Sequence, residues 1–195
     1  FFDEFPHFSK QIIESLREPL EDNKIHIARV NSKVTYETKF IFVAAQNPCP
    51  CGNLLSANLN CRCSENEIKQ YKSRISEPII DRIDLHVQME ENRSAERDKI
   101  TSKQMSEQVL RAFKFQKMRA QSEPNGKLSD SDVVKFCLLQ DGAKDALDTA
   151  TQRYALSQRG VKKVLKVARS IADIDESEKI ARSHILEALS FRVRS

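Results

Sequence analysis

The sequence predicts an α/β region followed by an all-helical region. The continuous apolar run FIFVAA at residues 40–45 is typical of a central parallel strand covered on both faces. The alternating run IDLHVQM at residues 83–89 indicates a second strand, nearer the edge of the sheet. From Ser102 onwards the pattern predicts helices almost to the end of the chain. We therefore expect the second half of an α/β sheet domain and then an all-helical domain.

The composition predicts a globular protein. The 195 residues are enough for one medium domain or two small ones, and 39% of them are hydrophobic and 31% charged. No apolar run approaches the ~18 residues that a membrane helix needs, and the start, FFDEFPHF, lacks the basic residues of a signal peptide. We therefore expect a cytoplasmic protein with no membrane partner. The chain starts without Met inside a predicted strand, so we also expect a fragment of a longer protein.

Short-range signals define the other elements of the first region. FFDEF looks like the end of a buried strand, and Ser9 is placed to cap a helix that runs to about Leu20. Two alternating segments around Asn31-Ser32 predict a β-hairpin, and residues 65–73 predict a polar helix. The expected apolar face of the first helix consists of Ile12, Ile13, Leu16 and Leu20.

The second region is predicted to contain helices at 102–120, 129–138, 141–154, 157–173 and 181–192. Pro124 and Gly126 break the series after the first helix. We place the domains at 1–92 for the α/β part, 93–128 for a connecting helix and linker, and 129–195 for a helical domain. The helix after Ser157 should bury Val161, Val164, Leu165, Ala168, Ile171 and Ala172.

Four of the five cysteines follow the predicted central strand, as C-x-C, nine residues and C-x-C. An odd number of cysteines without a secretion signal argues against a disulfide framework, and four clustered thiolates suit tetrahedral Zn²⁺. Such a site would be structural, because four cysteines leave no open position on the ion. The alternative is four unligated thiols in a loop. The predicted ligands are Cys49, Cys51, Cys61 and Cys63, whereas Cys137 is expected to be a small core residue.

Polar residues follow the predicted strands where an α/β protein binds ligands. Asp3 and Glu4 follow an apolar strand end, an arrangement in which Asp holds Mg²⁺ through water and Glu polarises an attacking water. Asn47 follows the central strand and could orient a water or contact a phosphate. The alternatives are two solvated carboxylates near a helix start, and an Asn that begins a turn with Pro48.

Three arginines are further candidates. Arg82 lies between a short apolar helix and a strand, where it could protrude towards a neighbouring subunit; the alternative is an ion pair with Asp81 or Asp84. Arg159 lies in the first turn of an amphipathic helix, and Arg169 lies three turns further on. The alternative for both is a solvated basic face, as in most such helices.

Taken together, these motifs occur in a recognisable order. The chain resembles the C-terminal half of magnesium chelatase-like AAA+ ATPases of the ComM/YifB type, over essentially all of its length. The motifs that carry the resemblance are FFDEFPHF, ESLREPLED, VAAQNPCPCG, CRC, YKSRISEPIIDRIDLHV and LSQRGVKKVLKVARSIADID. The resemblance implies the C-terminal part of an AAA+ P-loop NTPase sheet domain, followed by a helical lid domain.

The resemblance also implies roles for single residues. Asp3 and Glu4 match the Walker B pair, which holds Mg²⁺ and activates water, and Asn47 matches sensor 1, which senses the γ-phosphate of ATP. Arg82 matches the arginine finger, which would reach the ATP bound by the next subunit. Arg159 matches sensor 2 in the lid and is preferred to Arg169, because sensor 2 arginines lie at the start of their helix. Arg74 is a second basic candidate at the subunit interface.

The function implied by the resemblance is ATP hydrolysis that drives DNA remodelling, as a helicase or in branch migration during natural transformation. The expected assembly is a homo-hexamer, and the expected partner is single-stranded or branched DNA. The hairpin would face the ring pore, where its basic residues could track phosphates; an ordinary solvated hairpin is the alternative. These basic residues are Lys24, His26, Arg29 and Lys33.

One motif of the family is missing from the chain. The sequence contains no G-x-x-x-x-G-K-[ST] loop, so the ATP and Mg²⁺ site is incomplete and we predict that the chain alone does not turn over ATP. Two alternatives to a DNA motor remain open. One is the ATPase subunit of a metal chelatase-type complex, and the other is a zinc-binding interaction module.

Overall fold

A computed structural model describes residues 1–30, 32–89 and 100–192. The chain divides into two compact units. The first unit comprises Phe1–Ile83 with Gln88–Arg93, and the second comprises Asp84–Val87 with Ser94–Ser195. The predicted boundary between residues 92 and 93 lies outside the described residues, as does Asn31 in the predicted hairpin turn.

Two of the helices of the first unit start at side-chain caps that are visible in the sequence. Ser9 accepts a hydrogen bond from the backbone N–H of Ile12, and Ser64 forms a reciprocal capping box with Glu67. The predicted first helix is divided in two, because Leu16 ends one helix and begins the next. The helices are α1 (Lys10–Ser15), α2 (Arg17–Glu21), α3 (Glu65–Lys72) and α4 (Glu77–Ile80).

The predicted hairpin is confirmed. Strands β1 (Lys24–Arg29) and β2 (Ser32–Glu37) pair antiparallel, with Lys24 opposite Glu37 and Arg29 opposite Ser32. Every residue of both strands is exposed. The hairpin is therefore held together by the hydrogen bonds between its two strands and by the contacts at its base. Its side chains face solvent on both faces.

The predicted central strand is wrong for the described residues. Residues 40–45 form one parallel bridge, between Phe2 and Ala44, and Ile41 is 89% exposed. Residues 83–89, predicted as a second strand, also form no strand, and Met89 is 84% exposed. A central strand needs a hydrogen-bonded neighbour on each side, and among the described residues only the segment at Phe2 bonds to this run.

Aromatic contacts form the core of the first unit. The rings of Phe2 and Phe5 lie 5.7 Å apart, and Phe42 lies 5.5 Å from both of them. Ile13 on α1 is buried beside this cluster, whereas Ile12, predicted on the same face, is 46% exposed. The short α1 thus presents a narrower apolar face than the predicted longer helix would have done.

The second unit confirms the predicted helices. They are α5 (Ser102–Met118), α6 (Asp130–Phe136), α7 (Ala143–Arg153), α8 (Gln158–Ile174) and α9 (Arg182–Ser190). Helix α8 lies at the centre and contacts α5, α6 and α9. Its buried residues include Val164, Ala168, Ile171 and Ala172, as predicted, and Cys137 is a buried core residue.

A buried polar network crosses the core of the second unit. Arg169 is fully buried; its Nε donates to Asp173 at 3.1 Å and its Nη1 donates to the carbonyl of Glu178 at 2.8 Å. Asp173 also accepts bonds from Arg119 and from Asn125, the latter at 2.7 Å. These contacts give Arg169 a structural role rather than a place on a ligand-binding surface.

The described part of the chain shows a mixed α/β structure with nine α-helices and one two-stranded sheet. It does not confirm the expected sheet of a P-loop NTPase core. No helix among the described residues is long and apolar enough to cross a membrane.

Candidate functional site

Asp3, Glu4 and Asn47 lie at the same end of two adjacent parallel segments. The backbone N–H of Phe2 donates to Val43 at 2.9 Å, and the N–H of Phe5 donates to Ala45 at 2.9 Å. Asp3 and Glu4 directly follow Phe2, the bridged residue of the first segment, and Asn47 follows Ala45 of the second segment by two residues. All three side chains are exposed. The backbone thus places the acidic pair and the Asn47 amide, which the sequence predicted as site residues, on neighbouring segments.

The backbone of Glu4 is strained. Its φ of 50° and ψ of 45° lie in the left-handed region, which is uncommon for a residue other than Gly, Asn or Asp. The Glu4 N–H donates to the Asp3 carboxylate at 2.9 Å, and this bond holds the turn. Strain of this kind costs on the order of 1–3 kcal/mol and is concentrated at functional sites. The chain therefore leaves the strand direction at Glu4, the residue that the sequence predicts to activate water.

Tyr71 on α3 connects this acidic pair to Asn47, and sequence reasoning missed it. It is 6% exposed, and its ring lies edge-on to His7 at 6.0 Å. Burial raises the pKa of Tyr71, a backbone hydrogen bond with Asn47 opposes that effect, and the Glu4 carboxylate adds to it. The signal in the sequence was the i, i+3 pair of Ile68 and Tyr71 on an otherwise polar helix.

The four predicted cysteines form one cluster. Their Sγ atoms all lie within 4.8 Å of one another. The Sγ of Cys49 lies 3.5 Å from that of Cys51 and 3.7 Å from that of Cys61, and the last two are 3.6 Å apart. A zinc–sulfur distance of about 2.3 Å places the corners of a tetrahedron about 3.8 Å apart, whereas a disulfide needs about 2.05 Å. The cluster could therefore hold a tetrahedral metal ion, with Cys63 as its fourth ligand.

The surroundings shift the pKa values of the individual thiols in different directions. Backbone hydrogen bonds from Arg62 and Asn53 lower the pKa of Cys51 to about 6, so its ligand form, the thiolate, is already favoured at neutral pH. Burial raises the pKa of Cys63 to about 12. A bound cation would overcome that cost, because a coordinating thiol is deprotonated.

The cysteine loop also lies against Asn47. Gly52 has a φ of +80°, which a residue with a side chain rarely adopts, and it makes the tight turn after Cys51. A Cβ added to Gly52 would lie 4.0 Å from the Cγ atom of Asn47. The loop that the metal would fix is thus the immediate neighbour of the candidate sensor.

Arg82 does not project freely from the surface. Its guanidinium forms an ion pair with Glu21, and its Nη1 donates to the carbonyl of Pro78 at 2.6 Å. The Arg82 side chain is 11% exposed. Of the two partners considered from the sequence, Asp84 pairs instead with Lys163, at 3.0 Å.

The other two arginines occupy different surroundings. Arg74 donates to the carbonyl of Pro6 at 3.2 Å and lines a surface cavity of about 450 Å³ together with His7 and Lys10. Arg159 is half-buried in the first turn of α8, where Ser157 caps the helix. Both positions are compatible with a ligand-binding role, whereas the buried position of Arg169 argues against one.

The basic residues of the hairpin are exposed. His26 bonds to Thr35 at 2.9 Å and lies 3.7 Å from Glu18. The strand alternation places Lys24, His26 and Lys33 on one face and Arg29 on the other, so positive charge lies on both faces.

Comparison with known proteins connects both units to one family. The family model described as Magnesium chelatase, subunit ChlI, matches residues 1–97, and the model described as Magnesium chelatase, subunit ChlI C-terminal, matches residues 99–192.

Relatives match nearly the whole chain. YifB of Salmonella typhimurium is 34% identical over 200 residues, YifB of Escherichia coli is 35% identical over 196, and the competence protein ComM of Haemophilus influenzae is 34% identical over 198. Each alignment covers 98% of this chain, but the chain spans only 38% of the length of these relatives. The chain therefore belongs to the magnesium chelatase ChlI family and is similar to its YifB and ComM members.

Proposed function

We propose that the chain is the C-terminal part of an AAA+ ATPase whose ATP hydrolysis drives DNA remodelling. The observation that supports this most is the placement of Asp3, Glu4 and Asn47 at one end of two parallel, hydrogen-bonded segments. In open α/β folds, this end of the strands is where phosphates and metal ions bind. The family membership supports the same proposal independently.

In the proposed site, each residue has a separate task. Asp3 holds Mg²⁺ through water, and Glu4 accepts a proton from the water that attacks the γ-phosphate. Asn47 donates its side-chain amide to the γ-phosphate or orients the water. ATP with Mg²⁺ would supply the transferable phosphoryl group.

Two arginines complete the proposal. Arg82 stabilises the charge on the ATP of the next subunit of a homo-hexamer, and Arg159 contacts the nucleotide from the helical lid. The phosphate-binding loop is assigned to a segment outside this chain, because the sequence contains no G-x-x-x-x-G-K-[ST]. We expect this chain on its own to show no Glu4-dependent hydrolysis.

We propose that the cysteine cluster is a structural zinc site. Its four thiols leave no coordination position for a substrate, and the spacing of the sulfurs fits the ion. The zinc would fix the loop at Gly52 against Asn47 and so hold the sensor in place.

The proposed DNA contact is the exposed hairpin. Its lysines and arginine would bind phosphates without reading base sequence. Replacing Lys24 and Lys33 by Ala should reduce the slope of log DNA affinity against log salt by roughly 0.7–0.9 for each phosphate that the variant no longer binds. Replacing the exposed Lys144 on α7 by Ala supplies the control, and an equal change in both variants would contradict the assignment.

The test of the proposed function is the ATPase rate of the protein that includes the phosphate-binding loop, with and without single-stranded or forked DNA. DNA should raise the rate, and Arg82→Ala should abolish hydrolysis while ATP binding remains. A rate that falls with Arg82→Ala but ignores DNA would favour the ATPase subunit of a metal chelatase-type complex, to which the family description points. Zinc binding without ATPase activity would favour an interaction module.

A further inference from the structure

Arg82 is held within its own chain by a carboxylate 61 residues earlier in the sequence. Glu21 pairs with the Arg82 guanidinium, and the carbonyl of Pro78, one turn before Arg82, accepts a bond from Nη1. The Arg82 side chain is 11% exposed and that of Glu21 is 35% exposed. In this arrangement the guanidinium is folded back onto α4 and α2 and is not extended towards another molecule.

Glu21 belongs to the base of the hairpin. It is the last residue of α2, and β1 begins three residues later. The Thr38 hydroxyl, just after β2, donates to the carbonyl of Pro19 on α2 at 3.3 Å. Glu18, one turn before Glu21, lies 3.7 Å from His26 on β1. Helix α2 therefore contacts the hairpin both at β1 and just after β2, so Glu21 lies on the element that holds the base of the hairpin.

The ion pair competes directly with a phosphate. A guanidinium binds carboxylate and phosphate through the same N–H groups, so Arg82 cannot serve Glu21 and a neighbouring ATP at the same time. If only a fraction of Arg82 is released, the rate of a reaction that needs it falls to that fraction of its full value. Whatever moves Glu21 therefore sets how much Arg82 is available.

We propose that Glu21 is a positioning residue that retains Arg82 in its own subunit until DNA displaces the hairpin. This inference rests on the proposed function, because it takes Arg82 as the residue that acts on the neighbouring ATP and the hairpin as the DNA contact. Glu21 then connects the hairpin to Arg82. DNA that binds the hairpin shifts α2, and the Glu21 carboxylate moves away from the guanidinium. Arg82 is then free to extend to the next subunit. DNA therefore stimulates hydrolysis by breaking the ion pair between Glu21 and Arg82.

The experiment compares Glu21→Gln with the unmodified protein, in the form that includes the phosphate-binding loop. The amide keeps the shape of the side chain but removes the charge, so Arg82 is released without DNA. We expect kcat without DNA to rise about fivefold, the size of change expected for a partly screened ion pair, with little change in KM for ATP. The ratio of DNA-stimulated to basal kcat should fall accordingly. A purely structural role would not raise basal kcat.

Three further variants define the effect. Glu14→Gln removes a carboxylate that pairs with Arg17 on the same part of the chain, at 3.5 Å, and should leave the ratio unchanged. The double variant Glu21→Gln with Arg82→Ala should be as inactive as Arg82→Ala alone. Glu21→Asp retains the charge, and its ratio should fall between those of the unmodified protein and Glu21→Gln.

The outcomes separate this inference from the proposed function. An ATPase rate that DNA does not change in the unmodified protein contradicts the proposed function, and this inference with it. A stimulated rate whose ratio is unchanged in Glu21→Gln, or a basal rate that falls in both Glu21 variants while their melting temperatures match the unmodified protein, overturns the inference alone.

Discussion

The two units of the chain differ in how they fill their interiors. Among the described residues, the core of the second unit contains thirteen buried apolar side chains, whereas that of the first unit contains four. The first unit also exposes large apolar side chains, including Phe1 at 81% and Ile41 at 89%. The second unit exposes large apolar side chains as well, including Met118 at 80% and Val134 at 78%. The units therefore differ in the size of the buried cluster, and the first unit depends more on caps, a small aromatic cluster and its cysteine loop.

Metal removal should produce the largest difference between the units, because structural zinc contributes on the order of 10 kcal/mol in small zinc-binding peptides. We expect about one equivalent of zinc in the purified chain. Stripping it with a chelator, or replacing Cys61 by Ser, should increase hydrogen exchange at residues 47–63 and leave α8 unchanged. Metal analysis measures the zinc content, and hydrogen-exchange mass spectrometry measures the exchange at residues 47–63 and in α8.

The matched control for the metal is Cys137→Ala, which changes a cysteine of the second unit that lies outside the cluster. This variant should keep the zinc content of the unmodified chain. Zinc well below one equivalent in protein purified without chelators would contradict a zinc site in the first unit.

The next largest effect should come from Arg169→Ala in the second unit. Removing the guanidinium takes away one of the two charged partners of the Asp173 carboxylate, which is 2% exposed, and the donor to the Glu178 carbonyl. Breaking a buried ion pair costs about 3–5 kcal/mol, and because Arg119 still pairs with Asp173 we expect a cost at the lower end of this range. The unfolding free energy from the helical circular dichroism signal should fall by that amount. Lys144→Ala, at an exposed position of α7, should change it by less than about 0.5 kcal/mol. Similar values for the two variants would show that the network does not support the core.

The smallest effect concerns alkaline pH. Burial raises the pKa of Cys137 from 9.0 to about 11. The unfolded thiol therefore ionises first, and stability that is fully present below pH 9 decreases as the pH rises towards 11. The decrease is at most roughly 2–3 kcal/mol. Urea unfolding at about pH 8 and about pH 10.5 measures it, and in Cys137→Ala this part of the pH dependence should disappear.

The features that the sequence predicted correctly depend on interactions between residues that are close together in the chain. The helices α5 to α9 and the hairpin were predictable because periodicity, caps and a turn are local signals. The four cysteines were predictable for the same reason, since Gly52 and the C-x-C spacing bring the thiols together over a short stretch.

The errors concern partners that are distant in the sequence. Residues 40–45 have the composition of a central strand, but a strand forms only where hydrogen-bonded neighbours lie on both sides. The pairing of the Arg82 guanidinium with Glu21 on α2 is one that local spacing did not suggest. Arg169 is spaced like a surface arginine, and only packing against Asp173 and the 177–178 carbonyls buries it.

The central claim is that Asp3, Glu4 and Asn47 form a hydrolytic site, and Glu4→Gln tests it most directly. In the protein that includes the phosphate-binding loop, this isosteric change removes the base and keeps the neighbouring Asp3. We expect single-turnover ATP hydrolysis to fall by about 10²-fold or more, with ATP affinity unchanged. Glu65→Gln, at the exposed start of α3, is the control and should hydrolyse ATP normally. Hydrolysis at the unmodified rate in Glu4→Gln would contradict the claim.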